Sequence, residues 1–266
     1  MESRIHPTAL ISPDNVKIGK NVTIGPYAII EENVTIGDGC IIKAHALVGA
    51  RTTLGKNCRL FNGAVVGEIP QDLKYADEET ETILGDNVIV REYCTIHRGT
   101  TDRWKTSIGN NVLIMAYCHI GHDCDIGNNV IIANSCNMGG HVEVGDFVII
   151  GGAVPIHQFV KIGKHAFIAG GFRITKDVPP YIRASNTPLT YNGLNSVGLH
   201  RRGFPSEVIN QIKHVYTKIY RSHMNVSHAV KEIKENNDLS PEVQDILDFI
   251  DESTREIGRA SCRERV

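Results

Sequence analysis

The chain has 266 residues, 41% of them hydrophobic, and a formal charge of −2 at neutral pH. That length holds one large domain or two modest ones with a real core, and the near-neutral balance argues against a nucleic-acid-binding surface. No apolar run approaches the roughly 20 residues needed to cross a bilayer, and MESRIHPTALISPDN lacks the pattern of a secretion signal, so a cytoplasmic protein without stable membrane insertion is expected.

From Ile18 to Ile174, 24 of the 27 residues at a step of six are aliphatic or Met: Ile18, Ile24, Ile30, Ile36, Ile42, Val48, Leu54, Leu60, Val66, then Leu84, Val90 and Ile96, then Ile108 to Ile174 with Met138 among them; the exceptions, Asp72, Glu78 and Asp102, fall in two polar stretches. No helix sustains this period, because six is not a multiple of 3.6. Two residues before nearly all of them sits a small or β-branched side chain, as at Val22, Ala28, Val34 and Cys40, and Gly often follows, as at Gly19, Gly25, Gly37, Gly121 and Gly127. The pattern predicts a parallel β-helix with three short strands per coil. Alternate side chains point inward, and residues about eighteen apart stack about 4.8 Å from each other. Glycine at a corner supplies a positive φ or a close approach. The fold resembles the left-handed β-helix of hexapeptide acyltransferases, an exception to right-handed crossovers.

Six of the seven cysteines, Cys40, Cys58, Cys94, Cys118, Cys124 and Cys136, share the small inward slot, and Cys262 does not. They read as small core hydrophobes, with no disulfide framework, in preference to metal or redox groups. The β-helix is expected over residues 1–177, with polar loop insertions near 68–82 and 98–107. A connector rich in Pro, Asn and Thr follows at 178–195, then a helical domain at 196–257. Pro205 suits the first turn of one helix, a second falls around Ala229 and Ile233, and Ser240-Pro241-Glu242 reads as the cap and start of a third. Residues 258–266, GRASCRERV, have no periodicity and read as a vector-derived tail.

The stretch CHIGHDCDIG, residues 118–127, looks at first like a metal site. The six-residue register assigns its cysteines and isoleucines to the core and turns His119, His122 and Asp123 outward. One coil on, Gly140 falls beside His122 and His141 beside Asp123, and His157 lies in the coil after that. Two chemistries fit such a cluster. Three imidazoles could hold zinc, as in β-helical carbonic anhydrases. Alternatively a His serves as general base, oriented by a carboxylate, with backbone N–H groups near Gly140 receiving an oxyanion. Spacing leaves both open.

The ordered segments QDLKY (71–75), IHRGT (96–100), HIGHDC (119–124), GGHV (139–142), IHQF (156–159), DVPPY (177–181) and HRRGF (200–204) resemble the UDP-N-acetylglucosamine 3-O-acyltransferase family over residues 4 to about 257. That resemblance implies transfer of an (R)-3-hydroxyacyl group from acyl carrier protein to the sugar 3-position, the first step of lipid A synthesis. It implies a homotrimer with sites between subunits and no cofactor. It carries the general base to His122, its orienting carboxylate to Asp123 and the oxyanion donor to Gly140. Substrate binding falls to His119, His141, His157 and Gln158, to Gln71, Asp72 and Lys74 in the first insertion, and to Asn195, Arg201 and Arg202 near the diphosphate. For the two arginines, a basic turn facing solvent or the acidic carrier protein is the alternative. Gly170 falls at the family's acyl-chain ruler, where the absence of a side chain favours a longer chain. The run SNTPLTYNGLNSVG departs from the usual pattern and leaves open a 3-amino sugar as acceptor. Competing readings are a sugar N-acyltransferase of another hexapeptide class, a zinc carbonic anhydrase and a non-catalytic solenoid.

Overall fold

The computed structural model describes residues 2–221, 224–235 and 239–253. Among the described residues three sheets of 11, 8 and 8 strands, labelled A, B and C, form the sides of a prism, parallel throughout except for the last pair of sheet A. The chain winds around it in a left-handed β-helix, visiting sheet A, sheet B and sheet C in turn. Thr23 pairs with Ile41, and Ile131 with Ile149, as the coil repeat requires. Inward aliphatics such as Ile24, Ile42, Ile120 and Ile150 are at most 1% exposed, and the small slot residues Val22, Ala28, Val34 and Cys40 are fully buried. The six inward cysteines are all free and buried. Their thiols reach carbonyls of the next coil, Cys118 Sγ to Ala133 O at 3.1 Å and Cys136 Sγ to Gly151 O at 3.0 Å, so each also satisfies a weak donor.

The corners refine the glycine expectation. At the regular corners positive φ falls three residues after the aliphatic, at Asn21, Asn33, Asp123, His141 and His165 among others, and the glycine that follows the aliphatic has it only at Gly67, where the first insertion leaves the coil. That glycine is there for close approach: a Cβ on Gly37 would lie 2.5 Å from Gly55 O. Asparagine tolerates the left-handed conformation, and its amides also bond along the edge, Asn15 Nδ2 to Asn33 Oδ1 at 2.9 Å.

Both insertions leave a sheet B strand and return to sheet C, after Val65–Glu68 and after Thr95–His97. They stretch the coil spacing from 18 residues, seen at Asn15–Asn33, to 30 at Asn57–Asn87 and 24 at Asn87–Asn111. Loops at 69–80 and 98–104 therefore stand on the same prism edge, between sheets B and C.

The stretch expected as a connector contains a hairpin. Ile182–Ser185 extends sheet A beside Phe167–Ile168, and Thr190–Leu194 returns antiparallel to it. The buried Ile182, Ala184 and Tyr191 explain why: they cover the last apolar coil. Among the described residues four helices follow, α1 (Ser196–Arg201), α2 (Ser206–Arg221), α3 (Val226–Lys234) and α4 (Pro241–Glu252). Ser240 caps α4 by accepting from Val243 N at 3.4 Å, with Pro241 in the first turn. Ile212, Tyr216, Ile219, Ile233, Ile246 and Leu247 bury the inner faces. The six-residue α1 was not expected, since with Leu199 its one buried side chain it carries no readable period. The expected tail at 258–266 lies outside the described residues. Among those residues no helix is long and apolar enough to cross a membrane.

Candidate active site

The B–C edge gathers the polar cluster. His119 lies on the strand His119–Ile120, and the corner after it turns through Asp123 at φ 58°. His122 Nδ1 sits 2.8 Å from Asp123 Oδ2. Asp123 points out of the prism, as the register requires, yet is fully buried. The second insertion covers it: Thr100 N and Arg103 N donate to Oδ1 at 2.9 and 3.2 Å, and Thr100 Oγ1 donates to Oδ2 at 2.6 Å. Burial alone would raise this carboxyl's pKa, but the hydrogen bonds from His122 and Thr100 outweigh it and hold the pKa down to about 2. A carboxylate bonded at Nδ1 requires the proton there, which leaves Nε2 of the neutral ring as the nitrogen able to take another.

The next coil completes the seat. A Cβ on Gly140 would fall 2.6 Å from both Cε1 and Nε2 of His122, so only glycine admits the ring in this position. The Gly140 N–H has no partner among the described residues. His141 N donates to His122 O at 2.9 Å, and the two imidazoles meet edge to face, 5.0 Å between centroids. Phe159 stacks on the far side of His141 at 4.3 Å. His141 Nδ1 lies 3.1 Å from Asp102 Oδ2 but out of hydrogen-bond alignment, and Nε2 lies 3.8 Å from Asp123 Oδ2. Burial lowers the pKa of His141, with Asp123 pulling the other way.

Further along the edge, His119 Nδ1 bonds Thr95 Oγ1 at 2.8 Å and its ring meets His97 edge to face at 4.8 Å. His97 was not singled out in the sequence. It is buried, which pushes its pKa down to about 4, and its place in IHRGT was the available signal. Thr100 and Arg103, in the loop over Asp123, left no signal in spacing. His157 and Gln158 are exposed on the same edge, one coil below Gly139 and Gly140. Gln71, Asp72 and Lys74 belong to the first insertion, where Lys74 N donates to Asp72 Oδ1 at 3.0 Å.

Other candidates lie on other edges. Asn195, expected at a diphosphate, is buried as the cap of α1, with its Oδ1 accepting from Gly198 N at 3.3 Å and its Nδ2 donating to His165 O at 3.0 Å. Its side chain thus joins α1 to the prism. Arg202 also reaches the C–A edge, where Nη2 donates to Phe147 O at 2.9 Å and the guanidinium lies over the Phe147 ring. Arg201 beside it is exposed. Gly170 is on the A–B edge, and a Cβ there would lie 2.9 Å from Gly152 O, so packing itself requires glycine.

Three imidazoles do not converge among the described residues. The one group of potential metal ligands within 4.8 Å is His122, Asp123 and His141. Its carboxylate already accepts from Thr100, Arg103 and His122. That donor set orients a histidine and does not match the three-histidine zinc site of the carbonic anhydrase reading.

A left-handed hexapeptide coil with a histidine–carboxylate pair on one edge defines the class of hexapeptide-repeat acyltransferases. The family model described as "Bacterial transferase hexapeptide (six repeats)" matches residues 15–50 and 105–140. The model "Udp N-acetylglucosamine O-acyltransferase; Domain 2" matches residues 177–258. The acyl-[acyl-carrier-protein]–UDP-N-acetylglucosamine O-acyltransferase of Sulfurihydrogenibium sp. is 55% identical over 98% of this chain and 97% of its own. That of Aquifex aeolicus is 56% identical over 96% and 98%. The solved UDP-N-acetylglucosamine acyltransferase of Bacteroides fragilis superposes with a TM-score of 0.92 at 44% identity, covering 96% of this chain and 99% of its own. The chain belongs to the acyl-[acyl-carrier-protein]–UDP-N-acetylglucosamine O-acyltransferase family.

Proposed function

We propose that this chain moves an (R)-3-hydroxyacyl group from the thioester of acyl carrier protein to the 3-hydroxyl of UDP-N-acetylglucosamine, the first step of lipid A synthesis, with His122 as general base. Kinship at 55% identity over 98% of the chain supports the activity. The observation that carries the base assignment is the buried, ionised Asp123 bonded to His122 Nδ1 at 2.8 Å.

In this reading His122 Nε2 takes the proton of the sugar 3-hydroxyl as that oxygen attacks the thioester carbonyl carbon. A C–O bond forms, and the carbonyl oxygen gains negative charge, which the unpartnered Gly140 N–H receives. When the C–S bond breaks, the thiolate of the carrier leaves and takes the proton back from the imidazolium. Asp123 stabilises that imidazolium between the two steps. No cysteine takes part. His119, His141, His157, Gln158 and the first insertion with Gln71, Asp72 and Lys74 bind the substrates along the same edge.

Arg201, Arg202 and Gly170 sit on other edges, so a single prism does not bring them to His122. A homotrimer that sets the B–C edge of one subunit against its neighbour would unite them, and a cytoplasmic location suits the carrier protein. The test is product formation from (R)-3-hydroxyacyl carrier proteins of several lengths with UDP-N-acetylglucosamine or its 3-amino analogue. Release of carrier thiol with one acyl group per sugar is expected. No transfer to either sugar overturns the reading.

A further inference from the structure

The loop over Asp123 is tied down beyond that carboxylate. Its base is held by ordinary backbone bonds, Gly99 N to Glu81 O at 3.2 Å and Trp104 N to Thr100 O at 2.7 Å. At its tip, Arg103 spans the next coil. The backbone N–H donates to Asp123 Oδ1, Nη1 donates to Asp123 O at 3.4 Å, and Nη2 donates to Glu143 Oε1 at 2.5 Å. Glu143 lies on the sheet C strand paired beside Asp125. Its other carboxylate oxygen faces Lys161 Nζ at 3.7 Å, and Lys161 in turn reaches Glu252 of α4 at 3.5 Å. The anchor is therefore itself braced by the helical domain.

We propose that Arg103 and Glu143 are positioning residues for acyl transfer: their ion pair pins the 98–104 loop over Asp123, keeping the carboxylate dry and aimed at His122 Nδ1. The proposal rests on the His122–Asp123 reading above. The pair is partly exposed, with both side chains at 36%, so it contributes little to global stability. Its consequence is local. Without it the loop tip loses its hold across the coil, the Thr100 and Arg103 donors move off Asp123, and water reaches the carboxylate. An imidazole whose partner has shifted is misoriented for proton transfer, and displacements of this size carry large rate penalties.

The test compares Arg103→Ala, Glu143→Ala and the double variant in steady-state kinetics and thermal unfolding. Each single change is expected to lower kcat about tenfold with KM for both substrates little changed and Tm held. The double variant should be no slower than the slower single, because both break one clamp, and Arg103→Lys should restore part of the rate. Wild-type kcat in both single variants overturns the proposal. So do additive losses, losses that appear in KM, or losses that track a falling Tm. Glu143→Gln, which keeps the side-chain shape, replaces Glu143→Ala should that variant fold poorly. His122→Ala is measured alongside. If it is inactive while the clamp variants run normally, the clamp alone fails; if it runs at the wild-type rate, the underlying mechanism fails first.

Discussion

His141 and His165 occupy the same slot of the repeat on two different edges of the prism. Both sit at a corner with positive φ, 62° and 59°, and both stack on a phenylalanine, His141 on Phe159 at 4.3 Å and His165 on Phe147 at 4.8 Å. Their surroundings differ. His141 faces Asp102 and Asp123 beside the His122 ring. His165 is sandwiched between Phe147 and Tyr181, crossed by Phe204, and joined to α1 through Asn195. Burial pushes its pKa down to about 4, helped by Arg202 and Lys164. A coil position fixes the backbone and the stacking; whatever is laid over the edge decides whether the imidazole meets carboxylates or a wall of rings. On the B–C edge that cover is a polar loop, and on the C–A edge it is the helical domain.

The contrast can be broken first on the B–C side. Asp123→Asn replaces the anion that supports the imidazolium by an amide, and kcat should fall on the order of 10²–10³ while the coil stays folded. Steady-state kinetics with circular dichroism checks both. A smaller loss is expected from Gly140→Ala, whose Cβ would displace the His122 ring, at about tenfold to a hundredfold in kcat.

On the C–A side, His165 should respond in stability and not in turnover. His165 has a folded pKa of about 4, below its unfolded value, so the unfolded chain binds the extra proton as pH drops. Its contribution is present above about pH 6.5 and is lost as pH falls towards 4, worth about 3 kcal/mol at most. His165→Phe, which matches Phe147 and Phe159 in their slots, should blunt the fall in Tm between pH 6.5 and 4 while leaving kcat at pH 7.5 near wild type. A variant with unchanged acid sensitivity would remove the distinction between the two edges.

The period of six carried most of the fold because each inward aliphatic and each inward cysteine is fixed by the coil itself. Helices α2, α3 and α4 were legible for the same reason, an apolar face repeated often enough to count. The hairpin Ile182–Leu194 and α1 were not, since each is too short to show a period. At the site, the register could place His122 next to Gly140 and Asp123 next to His141. It could not show that Asp123 is buried, because the 98–104 loop folds back onto it through Thr100 and Arg103. Nor could it show that the Asn195 amide bonds both α1 and His165, which only the packing of two domains reveals.

The central claim is that one histidine on this prism moves a proton. Comparing wild type with His122→Ala in acyl transfer from (R)-3-hydroxyacyl carrier protein to the UDP-sugar tests it most directly. Loss of kcat by about 10²–10⁴, with an unchanged Tm and little change in KM, is the expected result. Wild-type turnover by His122→Ala would contradict it.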